Sequence, residues 1–467
     1  MKKRSAVYLL AAISALFLFC QLAYVFYSNA QPSLCDEMLA FSTHFASIAA
    51  QHDIALFLVD PDVIALWSTS PAAHRTRRGW VASRTNVDQY CQRQSVTLGV
   101  METDWPSSIV DKYRLKLLLD AYVDAGFRYV NVTGLDPKLS ASFGIAKADP
   151  VPYHYLIWRD RVTVHLVVFY ERGVEAYLWH GSTDLAKFAV HYKRHPSVIP
   201  SEGDDVVTRH FPLTAGAYQK FDFASVAIGH VFVQAPRNAT DFLLQLAHSQ
   251  FVECSAERAR QFASKNSAGV DLSADDIAYL EQAKEIIRLG KTVLNDIGIP
   301  FWLSSGTCLG WFRQCGVIPY GKDVDFGVFI RDYQSRLTQA MINRGFTLKH
   351  VFGKVSDSFE LSFVRFGVKL DLFFFYEESD HVWNGGTQAK SGKKFKYTFP
   401  KFSLCWAELV GILLRVPCQT LSYVEANYGP NWHEPVRNWD WKSSPNNVRE
   451  NGVWDPMEWP QVIQVYV

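Results

Sequence analysis

The chain has 467 residues, 48% of them hydrophobic and 14% aromatic, with a formal net charge of +1. That length exceeds what one ordinary domain needs, and the apolar content supports a sizeable core rather than a long disordered region. A near-neutral balance excludes a global field that would attract nucleic acid, so any polyanion must be recognised locally.

Lys2, Lys3 and Arg4 precede residues 6–27, a largely apolar stretch without a charged side chain and long enough to cross a bilayer as a helix. A cleaved signal peptide would have a shorter apolar core and a small-residue cleavage site. Here the stretch ends in tyrosines suited to the interface, which favours an uncleaved signal-anchor. The basic residues before it keep residues 1–5 cytoplasmic and place the remainder in a lumen, a single-pass type II arrangement. The sequons at Asn131 and Asn238 fit that compartment as N-glycosylation sites. Eight cysteines are present, and Cys20 falls in the anchor. Seven remain, so at least one stays free or pairs between chains if the others form disulfides. No Cys/His spacing of a zinc site occurs, and no zinc is expected.

Residues 28–271 read as a lumenal stem or N-terminal domain of mixed α/β type. DIALFLVD (53–60) and VTVHLVVFY (162–170) are expected strands, and residues 112–127 an expected helix stopped at Gly126. No phosphate loop or catalytic constellation stands out there; a stem, a partner surface and an acceptor platform all remain open. A polar, turn-rich boundary at 264–276 leads into the second region, 272–467, with Ser273 and Asp276 spaced as a capping box. Ile277, Leu280, Ala283, Ile287, Leu294 and Ile297 follow at helical spacing up to Gly298 and Pro300. Then come a short strand and turn (FWLSSG), a helix (TCLGWFRQC), a strand (VDFGVFI), a helix (RDYQSRLTQAMINRG) and two strands (ELSFVRF and VKLDLFFFY). Trp432, Trp439, Trp441, Trp454 and Trp459 crowd the C-terminal stretch, where packing is the expected role and sugar stacking the alternative.

Asp323 and Asp325 open a strongly apolar strand. Because strand side chains alternate faces, both carboxylates point to one side, where they can reach a single cation. An unpaired charge in such a setting is costly. Upstream, Ser305-Gly306-Thr307 forms a turn between strand and helix, suited to approach phosphate oxygens through backbone N–H groups. Asp371 is a third acid, in another apolar strand. Two acids on one strand, a third on a neighbour and a Gly-Ser/Thr turn give the layout of a nucleotidyltransferase fold. The competing account is a structural salt-bridge cluster with Lys322 and Arg313 as partners.

The run GTCLGWFRQCGVIPYGKDVDFG resembles the LicD family signature: a Gly-Thr turn, an arginine, an Ile-Pro step and paired aspartates. Longer stretches, HLVVFYERGVEAYLWHG, GIPFWLSSGTCLGW, HVWNGGTQAKSGKKFKY and VEANYGPNW, are similar to the fukutin family of LicD-like ribitol-5-phosphate transferases. Gly321-Lys322 stands where bacterial members often carry further aspartates, which weakens the case for a second metal ion. The resemblance implies a Golgi membrane enzyme with a lumenal nucleotidyltransferase-like catalytic domain. It would transfer ribitol 5-phosphate from CDP-ribitol to the phosphorylated O-mannosyl core M3 glycan of α-dystroglycan, releasing CMP. Implied partners are the fukutin-related protein, the ribitol xylosyltransferase and an O-mannose N-acetylglucosaminyltransferase. In that chemistry Asp323 and Asp325 hold Mg²⁺ or Mn²⁺, and Asp371 completes the metal shell or takes a proton. Ser305, Gly306, Thr307, Arg313 and Lys322 are candidates for donor phosphate. Lys390, Lys393, Lys394 and Lys396 are either a solvated loop or a dock for an anionic acceptor. Glu360 is a further acid that its neighbours do not distinguish from a surface strand residue. Rival readings are phosphocholine transfer, a DxD glycosyltransferase, and a non-catalytic membrane-tethered scaffold for glycosylation enzymes.

Overall fold

The structure is a computed structural model. It describes residues 34–69, 74–76, 79–81, 95–102, 112–137, 150–160, 162–183, 214–228, 231–266, 272–436 and 438–466, with the isolated residues 21 and 212. The expected anchor at 6–27 thus lies outside the described residues, apart from Gln21. Among the described residues, no helix is long and apolar enough to cross a membrane.

Two hydrophobic cores divide the chain. The first gathers around an eleven-stranded sheet formed by residues up to 236. One interior strand, Val162–Arg172, is buried almost throughout. It runs parallel to Ser95–Met101 and antiparallel to Val151–Arg159. The expected helix occupies Lys112–Asp124, and Gly126 takes the left-handed turn that ends it. Of the sequons, Asn131 is exposed on the edge strand Arg128–Gly134. Asn238 caps the helix Ala239–Ala247, its Oδ1 accepting the Asp241 N–H at 3.1 Å.

The second core opens with helix α1 (Ala274–Asp296). Ser273 and Asp276 form the reciprocal capping box at its start. Its apolar stripe is buried from Ala283 onward, whereas Ile277 is exposed. After β1 (Trp302–Leu303) and α2 (Ser305–Gln314) comes β2 (Asp323–Phe329). The expected third helix is broken: a 3₁₀ turn at Ile330–Asp332 precedes a short α3 (Leu337–Asn343). Between them Gln334 and Arg336 donate to the Ile297 carbonyl, tying the segment to the end of α1 and preventing one continuous helix.

The sheet continues through β3 (Thr347–Lys354), β4 (Asp357–Arg365), β5 (Val368–Glu377), β6 (His381–Thr387) and β7 (Lys393–Pro400). A separate hairpin, β8 (Leu404–Leu409) and β9 (Ile412–Pro417), leads to α4 (Thr420–Tyr428). The last elements are β10 (Val448–Val453), α5 (Trp459–Val462) and β11 (Ile463–Val465). Nine strands form one sheet in the order β10-β7-β6-β5-β4-β3-β11, with β2 on β5 and β1 on β2. Val324, Phe326 and Val328 of β2 and Leu370, Leu372 and Phe374 of β5 face the core and are fully buried. The alternate residues of both strands therefore face the other way.

The halves are tied directly. Arg172 bonds Glu253 through two nitrogens at 2.9 Å each and approaches Glu408 at 3.5 Å. Lys291 of α1 pairs with Glu175. Disulfides join Cys254 to Cys315 and Cys405 to Cys418, and Cys308 is free and buried.

Candidate active site

Strand register assembles the site. Parallel pairing of β2 with β5 sets Asp323 opposite Lys369 and Asp325 opposite Asp371. Antiparallel pairing of β5 with β4 adds Ser362 opposite Asp371 and Glu360 opposite Phe373. Paired residues share a face, so three acids, a lysine, a serine and a fourth acid meet on one side of the sheet. One oxygen from each of Asp323, Asp325 and Asp371 lies within 4.8 Å of the others. They line a cleft of about 530 Å³.

Each acid is held in place. Asp325 Oδ2 accepts the Gly306 N–H at 3.1 Å, and its own N–H donates to Thr307 Oγ1 at 2.8 Å. Ser305 supplies the bend for this contact, adopting a left-handed φ of 40° at the start of α2. Asp371 accepts the Ser362 hydroxyl at 2.6 Å on one oxygen and the Lys369 ammonium at 2.7 Å on the other. Lys369 also lies 3.7 Å from Asp323, whose carbonyl accepts the Tyr279 hydroxyl at 2.7 Å.

Burial pushes the Asp325 carboxyl well above the ordinary carboxylate range, and the charges of Asp323 and Asp371 push it further. Asp371 is raised for the same first reason, with Lys369 pulling the other way. Glu360 is pushed up to about 8, by burial first and then by Asp371. Burial works against the Lys369 ammonium, yet the neighbouring Asp371 outweighs it and lifts the group above its usual value. Three crowded carboxylates facing one ammonium are a hard-oxygen donor set short of positive charge, which fits Mg²⁺ or Mn²⁺.

The other expected donor contacts converge on this cleft. Ser305, Gly306 and Thr307 line it, although the Gly306 N–H and the Thr307 hydroxyl already serve Asp325. Arg313 also lines it, buried on α2, with its guanidinium against the Phe262 ring and its Nε without a partner. Lys322 is exposed on the same rim. The cation that faces the acids is Lys369, not Lys322 or Arg313 as the salt-bridge account required.

The lysine-rich stretch 385–402 is a β-hairpin, not a loop: its amides complete the ladder between β6 and β7. Lys390 is exposed at the turn, Lys393 pairs with Glu450 at 3.0 Å, and Lys394 pairs with Asp357 at 2.7 Å. Lys396 lies over the Trp383 ring, and none of the four lines the cleft. Trp454 and Trp459 pack, whereas Trp432, Trp439 and Trp441 line the cleft. Trp441 lies over Gly386, where an added Cβ would sit 3.0 Å from its ring.

Comparison with known proteins places this architecture. Residues 1–284 match the family described as "Fukutin N-terminal", and residues 298–419 match "LicD/FKTN/FKRP, nucleotidyltransferase domain". The chain belongs to the fukutin family. Among its relatives, proteins named "Ribitol-5-phosphate transferase FKTN" from Homo sapiens and Macaca fascicularis are each 40% identical over 424 residues, covering 90% of this chain and 87% of theirs. The Mus musculus protein of that name is 46% identical over 342 residues, covering 73% of this chain and 71% of its own. The nucleotidyltransferase match spans Ser305–Thr307, Asp323, Asp325 and Asp371, so the fukutin-family assignment and the acid cluster concern the same residues.

Of the charged residues in the cleft, Lys369 is absent from the sequence reading, and Glu360 enters it only as an acid without a distinguishing context. Lys369 carried a usable signal: it stands two residues before Asp371, on the same face of the strand.

Proposed function

We propose that this fukutin-family chain is a ribitol-5-phosphate transferase that uses CDP-ribitol. The observation that carries this reading is the three-carboxylate cluster, which falls inside a nucleotidyltransferase match on a chain 40% identical to proteins of that name. The acceptor in this reading is the phosphorylated O-mannosyl core M3 glycan of α-dystroglycan.

Asp323, Asp325 and Asp371 would hold Mg²⁺ or Mn²⁺, which when bound polarises phosphate oxygens and offsets charge on the leaving CMP. Arg313 offers an unpaired guanidinium nitrogen to a donor phosphate, and Lys322 an exposed point charge at the rim. An acceptor hydroxyl oxygen forms a bond to the ribitol-bearing phosphorus as the bond to CMP breaks, leaving a phosphodiester. Both Asp371 oxygens already accept a hydrogen bond, which disfavours that residue as the proton acceptor and leaves only a remaining lone pair for the ion. Glu360, half-buried on the same face, could take the hydroxyl proton once ionised, a form that a cation bound by the neighbouring acids would favour.

The membrane placement belongs to the same proposal: a signal-anchor at 6–27, Golgi localisation and a lumenal catalytic half at 272–467. It is supported by the basic residues before a long uncharged apolar stretch. So do the partner enzymes implied by the family and N-glycans at Asn131 and Asn238, both exposed.

The test incubates the purified full chain with a phosphorylated acceptor glycopeptide and Mn²⁺ or Mg²⁺, offering CDP-ribitol, CDP-choline and a nucleotide sugar in turn. Product mass should report addition of one ribitol phosphate. Absence of transfer from CDP-ribitol, with transfer from another donor, would overturn the donor assignment.

A further inference from the structure

We propose that Lys369 takes the place of a second metal ion, so that the site works with one divalent cation and a fixed ammonium. This rests on the metal-dependent transfer argued above and concerns how its charge is balanced. Phosphoryl-transfer sites commonly use a pair of cations a few ångströms apart to flank the reacting phosphate. Here the register puts Lys369 directly across from Asp323 and two residues from Asp371 on the same face. Its ammonium sits 2.7 Å from Asp371 and 3.7 Å from Asp323, bridging the two strands.

Ligand supply agrees with that count. Asp371 has its oxygens engaged by Ser362 and Lys369, and Asp325 has one engaged by Gly306. The remaining Asp325 oxygen, the Asp323 carboxylate and a second lone pair on Asp371 suffice for one ion completed by phosphate and water. A second ion would need a carboxylate bridging both metals from the side where the ammonium lies. The Lys369 side chain is 37% exposed, so from its place between the two carboxylates it also presents its charge to a donor diphosphate in the cleft.

The experiment counts Mn²⁺ bound per full-length chain by equilibrium dialysis with saturating CDP, using Asp325→Asn as the zero point. Wild type should bind one ion above that baseline. Lys369→Arg should also bind one, and Lys369→Met should bind two. Two ions on the wild-type chain, or a single ion on Lys369→Met, would overturn the proposal. Wild type is informative even if Lys369→Met fails to fold. No ion above baseline on any of these proteins would sink the metal reading itself, a result distinct from a wrong count.

Discussion

Asp325→Asn should make the metal-free protein more stable while abolishing transfer. The substitution is nearly isosteric, and the new carboxamide oxygen can still accept the Gly306 N–H. What it removes is one of three negative charges whose oxygens lie within 4.8 Å of one another. At an effective dielectric of about 20, a like-charge pair at 4.8 Å costs roughly 3.5 kcal/mol. Asp325 enters two such pairs, and the loss of its longer-range attraction to Lys369 offsets part of the gain. Partial solvation of Asp323 and partial protonation of the cluster reduce the relief further, to about 2 kcal/mol. For a unit of this size that corresponds to a rise in Tm of about 4–8 °C. The assay is thermal melting of both proteins in EDTA and again in Mn²⁺. Wild type should melt lower than Asp325→Asn in EDTA and rise on adding Mn²⁺, by about 2.7 kcal/mol at one hundred times Kd. The variant should not respond to the ion, and its transfer rate should fall by at least about 1,000-fold, or roughly 4 kcal/mol of barrier. A variant that melts below wild type in EDTA, or that gains equally from Mn²⁺, would refute the reasoning.

Gly327→Ala should destabilise the catalytic half by about 1–3 kcal/mol, because the added Cβ would lie 2.3 Å from the fully buried Trp302 ring; chemical denaturation checks it. Trp441→Ala should leave Tm within about 1 °C and raise the KM of one substrate roughly five-fold, about the worth of one aromatic contact, since Trp441 is 40% exposed on the cleft wall. An unchanged KM would show that the ring only packs. The N-terminal half should lose stability in acid. Burial holds the His154 imidazole down to about 4 and His180 down to about 3, while in an unfolded chain both take protons near 6.5. Their contribution is therefore present above that pH and lost as pH falls from about 6.5 toward 4. His154→Gln should cut the slope of unfolding free energy in that window by about 1.4 kcal/mol per pH unit, measured by urea titrations.

Features set by neighbouring residues could be read from the chain alone. The capping box at Ser273 and Asp276, the Gly126 stop and the apolar run at 162–170 all depend on contacts within a few residues. The shared face of Asp323 and Asp325 is equally local, since it follows from alternation. Contacts with distant residues are not legible in this way. A run rich in lysine and glycine looked like a loop, but Gly385 and Gly386 let Ser358 and Trp441 approach a strand closely. The helix expected after β2 is interrupted because Gln334 and Arg336 find an acceptor at Ile297, 37 and 39 residues back along the chain.

The site depends on register, a non-local quantity, and that explains which of its parts were visible. Alternation could pair Asp323 with Asp325 and could make Asp371 a plausible third acid. It could not say that Asp371 falls level with Asp325 and Lys369 level with Asp323, because one residue of slip would turn both β5 side chains toward the core. That register is fixed by apolar positions: Val324, Phe326 and Val328 must be buried together with Leu370, Leu372 and Phe374. The same constraint that builds the core therefore sets the charge pattern on the opposite face. A substitution that shifts the β2–β5 register should separate the acids from Lys369 without touching any of them, so the apolar side of these two strands is as much a determinant of the chemistry as the carboxylates.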